Sequence, residues 1–185
     1  MKYSVVIEES VNDVLKNHLI RSDHQEDLCF ALYSKATGIR RISGVINKVI
    51  LPDNSDRNVH GNVSFNSNYF DKVTQMALTC HKGIVFIHSH PGNGWQSMSA
   101  DDIMAEKMLA PRVKAVTNLP LIGMTIGNDG AWSARFWNKT HPKTYQCDFC
   151  ESVRVVGRKF EITINKHMID SSVCNESFER VLSIS

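Results

Sequence analysis

Apolar and polar positions along this chain fall into blocks whose lengths switch between those of strands and those of helices. Residues 3–7 read as a first strand. Ser10 then stands at a helix N-cap with Asp13 three residues on, and Val11, Val14, Leu15 and Leu19 follow at helical spacing to about Ile20. Residues 28–33 are a continuous apolar run of strand length, the pattern of a central strand buried on both faces, and Glu26 sits at its mouth. Residues 42–51 predict a second long strand or hairpin arm, stopped by Pro52-Asp53-Asn54-Ser55-Asp56. Between Asn68 and His81 the residues Phe70, Val73, Ala77 and Cys80 recur at helical spacing, and Gly83 is the expected stop.

Residues 83–90 form a β-rich run that ends in two histidines, after which Pro91-Gly92-Asn93-Gly94 turns the chain. Ser99, with Asp101 and Asp102 in the first turn, caps a third helix expected to run to about Leu109, before Ala110 and Pro111. Residues 121–126 and 131–137, joined by Gly127-Asn128-Asp129-Gly130, predict a hairpin with an Asp-Gly turn. A core domain over residues 1–138 is expected, followed by a linker-like stretch at 140–143 in an extension over 139–185. That extension holds one further strand pair within 153–164, and its last twenty residues carry no clear periodicity. Strands alternating with helices favour a layered α/β domain.

Length and charge narrow the partners. The 185 residues fit one compact domain. Twenty-one Lys and Arg against 19 Asp and Glu leave a formal charge of +2, too near neutral for an electrostatic grip on a phosphate backbone, so no nucleic-acid partner is expected. No stretch approaches the roughly 20 apolar residues of a membrane span, and the N-terminus turns acidic at Glu8 after the short apolar run 5–7, unlike a secretory signal. The five cysteines, Cys29, Cys80, Cys147, Cys150 and Cys174, are an odd number without a regular framework, which predicts reduced thiols and a cytoplasmic location.

The candidate chemistry gathers after residue 87. His88 and His90 are two apart, and because side chains alternate across a strand both imidazoles project from one face. Two neutral imidazoles need one anionic oxygen and an open position to make the zinc site that hydrolases use. Asp102 is the nearest downstream candidate at the start of the next helix, with Ser99 beside it. A base that does not ligate the metal is also required, and Glu26 fits that place, with Glu8, Glu9 and Asp27 as nearby competitors and a solvated loop acid as the plain alternative. Cys147-Asp148-Phe149-Cys150 is a C-x-x-C, half a tetrahedral site, but His141 and Cys174 stand at no standard finger spacing from it. Cys29 and Cys80 sit in apolar runs and read as core residues.

Glu26, His88-Ser89-His90-Pro91 and Ser99-Ala100-Asp101-Asp102 together resemble the JAMM or MPN+ zinc isopeptidases, whose signature is an upstream Glu, then H-x-H-P, a loop and S-x-x-D. The resemblance covers residues 3–138 and implies an α/β fold, a mixed β-sheet flanked by helices and related in layout to the cytidine deaminases. It implies one zinc per chain held by His88, His90 and Asp102, with Glu26 as general base and acid and Ser99 stabilising the oxyanion. The interval from His90 to Ser99 is one residue longer than usual, so Asp101 stays a rival ligand, with Met98 then in the serine's place; the kept S-x-x-D spacing favours Asp102. The implied activity is cleavage of the peptide or isopeptide bond after the C-terminus of a ubiquitin-like protein, from its conjugates or its precursor.

The loop 94–99, with Trp95, resembles the bacterial branch found with ubiquitin-like conjugation systems, several of them antiphage. That branch implies a cognate adenylyltransferase and conjugating enzyme as partners. Residues 152–185 resemble the stretch that joins peptidase to adenylyltransferase in fusions of the two. Trp95 reads either as a substrate-tail contact or as a hydrophobic plug. Two other functions compete. A catalytically silent MPN scaffold has no chemical reason to keep five reactive residues together. A zinc deaminase asks for H-x-E and P-C-x-x-C, and here His90 stands where Glu belongs while Gln146 precedes Cys147.

Overall fold

A computed structural model describes residues 1–58, 63–141, 144–158 and 160–165. In chain order the elements are β1 (Lys2–Glu8), α1 (Glu9–Leu19), β2 (Leu28–Thr37), β3 (Arg41–Ile50), β4 (Arg57–Asn58), β5 (Ser64–Phe65), α2 (Ser67–Cys80), β6 (Gly83–Ser89), α3 (Ala100–Thr117), β7 (Leu121–Ile126), β8 (Trp132–His141), β9 (Thr144–Phe149), β10 (Ser152–Val156) and β11 (Phe160–Ile164). Nine strands share one mixed sheet in the order β11-β10-β1-β3-β2-β6-β7-β8-β9, and β4 with β5 makes a small separate ribbon. The α/β expectation holds. Among the described residues, no helix is long and apolar enough to cross a membrane.

The period-2 rule sorts the side chains into two cores. From β2, Cys29, Ala31 and Tyr33 enter one core cluster and Leu28, Phe30 and Leu32 the other. The first cluster is filled by α1 through Leu15 and Leu19. The second is covered by α2 through Tyr69, Phe70, Val73 and Ala77 and by α3 through Leu109, Ala110 and Val113. Every residue of β2 from 28 to 33 and all of β6 are buried, as a strand covered on both faces must be. The sheet curls around the first cluster. Tyr3 of β1 packs its ring 5.0 Å from Phe136 of β8 although four strands separate them in the sheet.

Several local expectations gave way to tertiary packing. Ser10 does not cap α1; Glu8 occupies the N-cap without a side-chain cap bond, and Ser10 Oγ donates to Glu8 Oε1 at 3.0 Å. Val14 is 43% exposed, whereas the polar Asn12 is buried because its Oδ1 accepts from Trp132 Nε1 at 2.9 Å. Gly83 does not stop α2. His81 in the left-handed conformation (φ 53°) is its C-cap, and Gly83 opens β6, where a Cβ would lie 2.1 Å from the Tyr33 ring. Cys80 is exposed at the end of α2 and not in the core.

The third helix does not end before Pro111. It continues to Thr117, because Leu109, Ala110 and Val113 bury against β6 and β7, and that burial outweighs the roughly 3 kcal/mol that an interior proline costs. The expected boundary near Asn138 falls inside β8. Beyond it, β9 extends one edge of the sheet, and β10 pairs in parallel with β1 from Ser4↔Ser152 to Glu8↔Val156. The strand pair expected within 153–164 is β10 with antiparallel β11. The last twenty residues, with Cys174, lie outside the described residues.

Candidate metal centre

His88 is the penultimate residue of β6, and His90 lies just beyond the strand's end. The pleat sends both imidazoles to the face that α3 covers, and His88 packs on Phe86 with ring centroids 5.6 Å apart. The two Nε2 atoms approach to 3.1 Å. Asp102, in the first turn of α3, reaches both: Oδ1 is 3.1 Å from His88 Nε2 and Oδ2 is 3.1 Å from His90 Nε2.

The helix start is built to hold Asp102 there. Ser99 is the N-cap of α3; its Oγ accepts from the Asp102 N–H at 3.1 Å, and Asp102 Oδ2 accepts from the Ser99 N–H at 2.8 Å, a reciprocal capping box. Burial works to raise the Asp102 carboxyl, but the hydrogen bonds from His88 and His90 outweigh it and hold the carboxyl well below the usual carboxylate range. Asp102 is therefore anionic at neutral pH.

These three residues form a group that could hold a metal ion, with one ligand atom each within 4.8 Å of one another. The donor set fits such an ion: a cation at the meeting point takes the lone pairs of both Nε2 atoms and neutralises the carboxylate, whereas two facing imidazole nitrogens alone share at most one proton. His88 Nδ1 is buried and has no hydrogen-bond partner among the described residues.

The centre opens onto a cleft of about 340 Å³ whose walls include Glu26, Phe86, His88, His90, Ser99 and Asp102. The upstream Glu thus meets the residues of the 88–102 segment. Asp101 lines the same cleft but is exposed, and the carboxylate set on both imidazoles is that of Asp102. Asp102→Ala is expected to abolish metal retention and, by removing the capping box, to lower the stability of the metal-free protein by about 1 kcal/mol. Asp101→Ala is expected to change neither. Elemental mass spectrometry and urea unfolding of the two variants check this, and metal lost only with Asp101 reverses the assignment.

Two supports of the centre come from tertiary contacts. Asp27, next to Glu26, is fully buried and ion-paired to Arg57 Nε at 2.6 Å and Arg21 Nη1 at 3.3 Å. Its backbone N–H donates to Ser89 Oγ at 2.9 Å, and its carbonyl accepts from the Ser89 N–H at 3.0 Å. Residue 27 is thereby latched to the residue between the two histidines, so the segment that leads into β2 and carries Glu26 is held beside the end of β6, where the histidines lie.

The second support is Glu106, one turn beyond Asp102 on α3 and fully buried. It takes a forked pair of bonds from Arg135 of β8, one of them Nε to Oε2 at 2.9 Å, and a third from Trp137 Nε1. Arg135 Nη1 also donates to Thr125 Oγ1 at 2.8 Å. A Cβ on Gly123 would lie 2.0 Å from Glu106 Oε2, so only glycine lets this helix and β7 approach so closely. The one advance signal was a charged residue inside each of two apolar patterns.

Other candidates fall elsewhere. Trp95 is half-buried and packs against the α1-side core. Its loop is tied to the β7–β8 turn, with the Gly94 N–H donating to Asp129 Oδ2 at 2.8 Å and Asn128 Nδ2 to Pro91 O at 2.8 Å. Cys147 packs against the α2–α3 core while Cys150 is buried in the α1-side core, so the C-x-x-C divides between two clusters. Burial pushes the Cys147 thiol up to about 12, and burial raises Cys150 as well. Comparison of the chain with family models and with curated proteins finds no match to either.

Proposed function

We infer that this protein is a zinc-dependent peptidase or isopeptidase that cleaves after the C-terminus of a ubiquitin-like protein. The observation that carries the reading is the convergence of His88, His90 and Asp102 in one cleft that Glu26 and Ser99 also line. Support also comes from the resemblance of the H-x-H-P and S-x-x-D spacing to the JAMM zinc isopeptidases, whose helix-flanked mixed sheet fits the fold described here. The bacterial branch suggested by the 94–99 loop gives the setting, a ubiquitin-like conjugation pathway of the antiphage kind with a cognate adenylyltransferase and conjugating enzyme.

His88, His90 and Asp102 would hold the ion, two neutral nitrogens and one anionic oxygen being a hydrolytic zinc set. Zinc bound there supplies Lewis-acid activation of water and of the scissile carbonyl. Glu26 takes the proton from the attacking water and delivers it to the departing amine, as a carboxylate free of ligand duty can. The Ser99 hydroxyl accepts the Asp102 N–H and keeps its own hydrogen for the developing oxyanion, a placed donor worth roughly 3 kcal/mol.

The test pairs metal content with cleavage. The purified protein and His90→Ala are analysed by elemental mass spectrometry and offered fusions of ubiquitin-like proteins that end in glycine before a reporter amine. One zinc per chain, with metal and cleavage both lost in the variant, is the expected result. Zinc bound without cleavage of any fusion favours the silent scaffold, and cleavage that survives His90→Ala overturns the metal mechanism.

A further inference from the structure

The far end of the sheet carries a second cleft of about 320 Å³. It lies beside Lys35, seven residues along β2 from Leu28, the register partner of His88, which places it about 20 Å from the metal centre. Lys35, Lys114 and Lys139 all line it, and no acidic side chain does. Neither the Lys35 nor the Lys139 ammonium has a partner among the described residues. Lys114 is held in place by its own helix end: Nζ donates to Asn118 O at 2.7 Å and to Asn118 Oδ1 at 3.0 Å.

Asp148, the acid on the adjoining strand β9, does not line the cleft but acts on Tyr3 of its wall; it accepts from Asn138 Nδ2 at 2.8 Å and from Gln146 Nε2 at 3.5 Å. Glu151, which follows β9, is already paired with Lys2 and Arg41. Three ammonium groups around one concavity repel one another unless an anion sits between them. The remaining wall is ring-bearing and largely apolar, made by Tyr3 on Phe136 with Ile42, Leu119 and Pro120, and it also carries the amides of Asn118 and Asn138. A cleft of this size that combines apolar, ring-bearing and polar lining residues has the dimensions of a small-molecule site.

We propose that this cleft binds a ring-bearing organic anion of mononucleotide size, its phosphate or carboxylate among Lys35, Lys114 and Lys139 and its ring against Tyr3, Ile42, Leu119 and Pro120. The cleft is too small for a dinucleotide, and its single cluster of cations suits one anionic group. The site is independent of the hydrolytic reading of the metal centre.

The experiment is a calorimetric titration of the full chain with adenosine monophosphate and with indole-3-acetate, beside adenosine as the uncharged control. Saturable binding of either anion at a dissociation constant below about 1 mM, at least tenfold tighter than adenosine and weakened by added salt, is the expected result. Which anion binds distinguishes a phosphate source from a carboxylate one. The double variant Lys35→Glu with Lys139→Glu changes two exposed side chains, so the fold should persist by circular dichroism, and it is expected to lose at least about tenfold in affinity. His90→Ala is expected to bind as the parent does. Binding of neither anion, equal binding of adenosine, an unaffected double variant, or weakened binding in His90→Ala each overturns the proposal.

Discussion

Glu26→Gln is expected to leave the metal content unchanged and to lower the rate of amide hydrolysis by about 10²–10⁴-fold, the range that a positioned general base and acid contributes. Glutamine has nearly the same shape and still accepts a hydrogen bond, but it cannot take a proton at neutral pH. Glu26 is separate from the three-residue group that could hold a metal, so the substitution removes none of its members. Its place on the cleft wall is held from behind by the neighbouring residue, through the paired backbone bonds between Asp27 and Ser89 and the arginines on the Asp27 carboxylate. The loss should therefore appear in kcat with KM little changed, because binding of the modifier's tail does not use the proton. Initial rates on a glycine-terminated fusion, measured beside zinc content, decide it. Parental turnover in this variant takes Glu26 out of the chemistry, and zinc lost with it moves the residue into the ligand set.

Arg135→Leu is expected to destabilise the protein by about 3–5 kcal/mol, because it leaves the Glu106 carboxylate buried with its forked partner gone. Both side chains of the pair have no exposure to solvent, so water cannot replace the missing bonds. For a chain of this length that loss lowers the melting temperature by roughly 10–15 °C. Glu106→Leu alone strands the guanidinium and should cost a similar amount.

The double variant should recover a large share of the loss, since two apolar side chains leave no isolated charge; the Trp137 N–H that Glu106 accepts remains unpaired, at about 1–3 kcal/mol. Urea unfolding of the four proteins closes a double-mutant cycle, and single variants that each lose less than about 1 kcal/mol contradict this account of the pair. Because Glu106 lies one helical turn beyond Asp102, the single variants should also hold metal more weakly.

Much of the frame was legible in the chain. The apolar run at 28–33 declared a strand buried on both faces, and it is the strand that pairs with β6 beside the candidate metal centre. The spacing of His88 and His90 declared a shared face, and the two Nε2 atoms meet. Ser99 declared a cap, and the capping box is present. These are local properties, set by a period of two or by one helical turn, and they need no knowledge of what packs above them.

The errors share one cause. Ser10 lost its cap, Cys80 its place in the core, and Pro111 its power to stop a helix, because each depended on what a distant segment offered. The run 152–156 looked like part of an extension, yet β1 pairs with it in parallel about 150 residues away, a distance over which no periodicity carries register.

By itself the sequence determined the order of strands and helices, the imidazole pair and the capped turn that presents a carboxylate. Only the tertiary structure decided that Asp102 and not Asp101 faces both histidines, that Glu26 shares their cleft, and that Asp27 and Glu106 brace the centre. A residue's own neighbours in the chain set its local geometry. Which side chains desolvate together is set by segments far away, and a buried carboxylate persists only where folding has brought its cations to it.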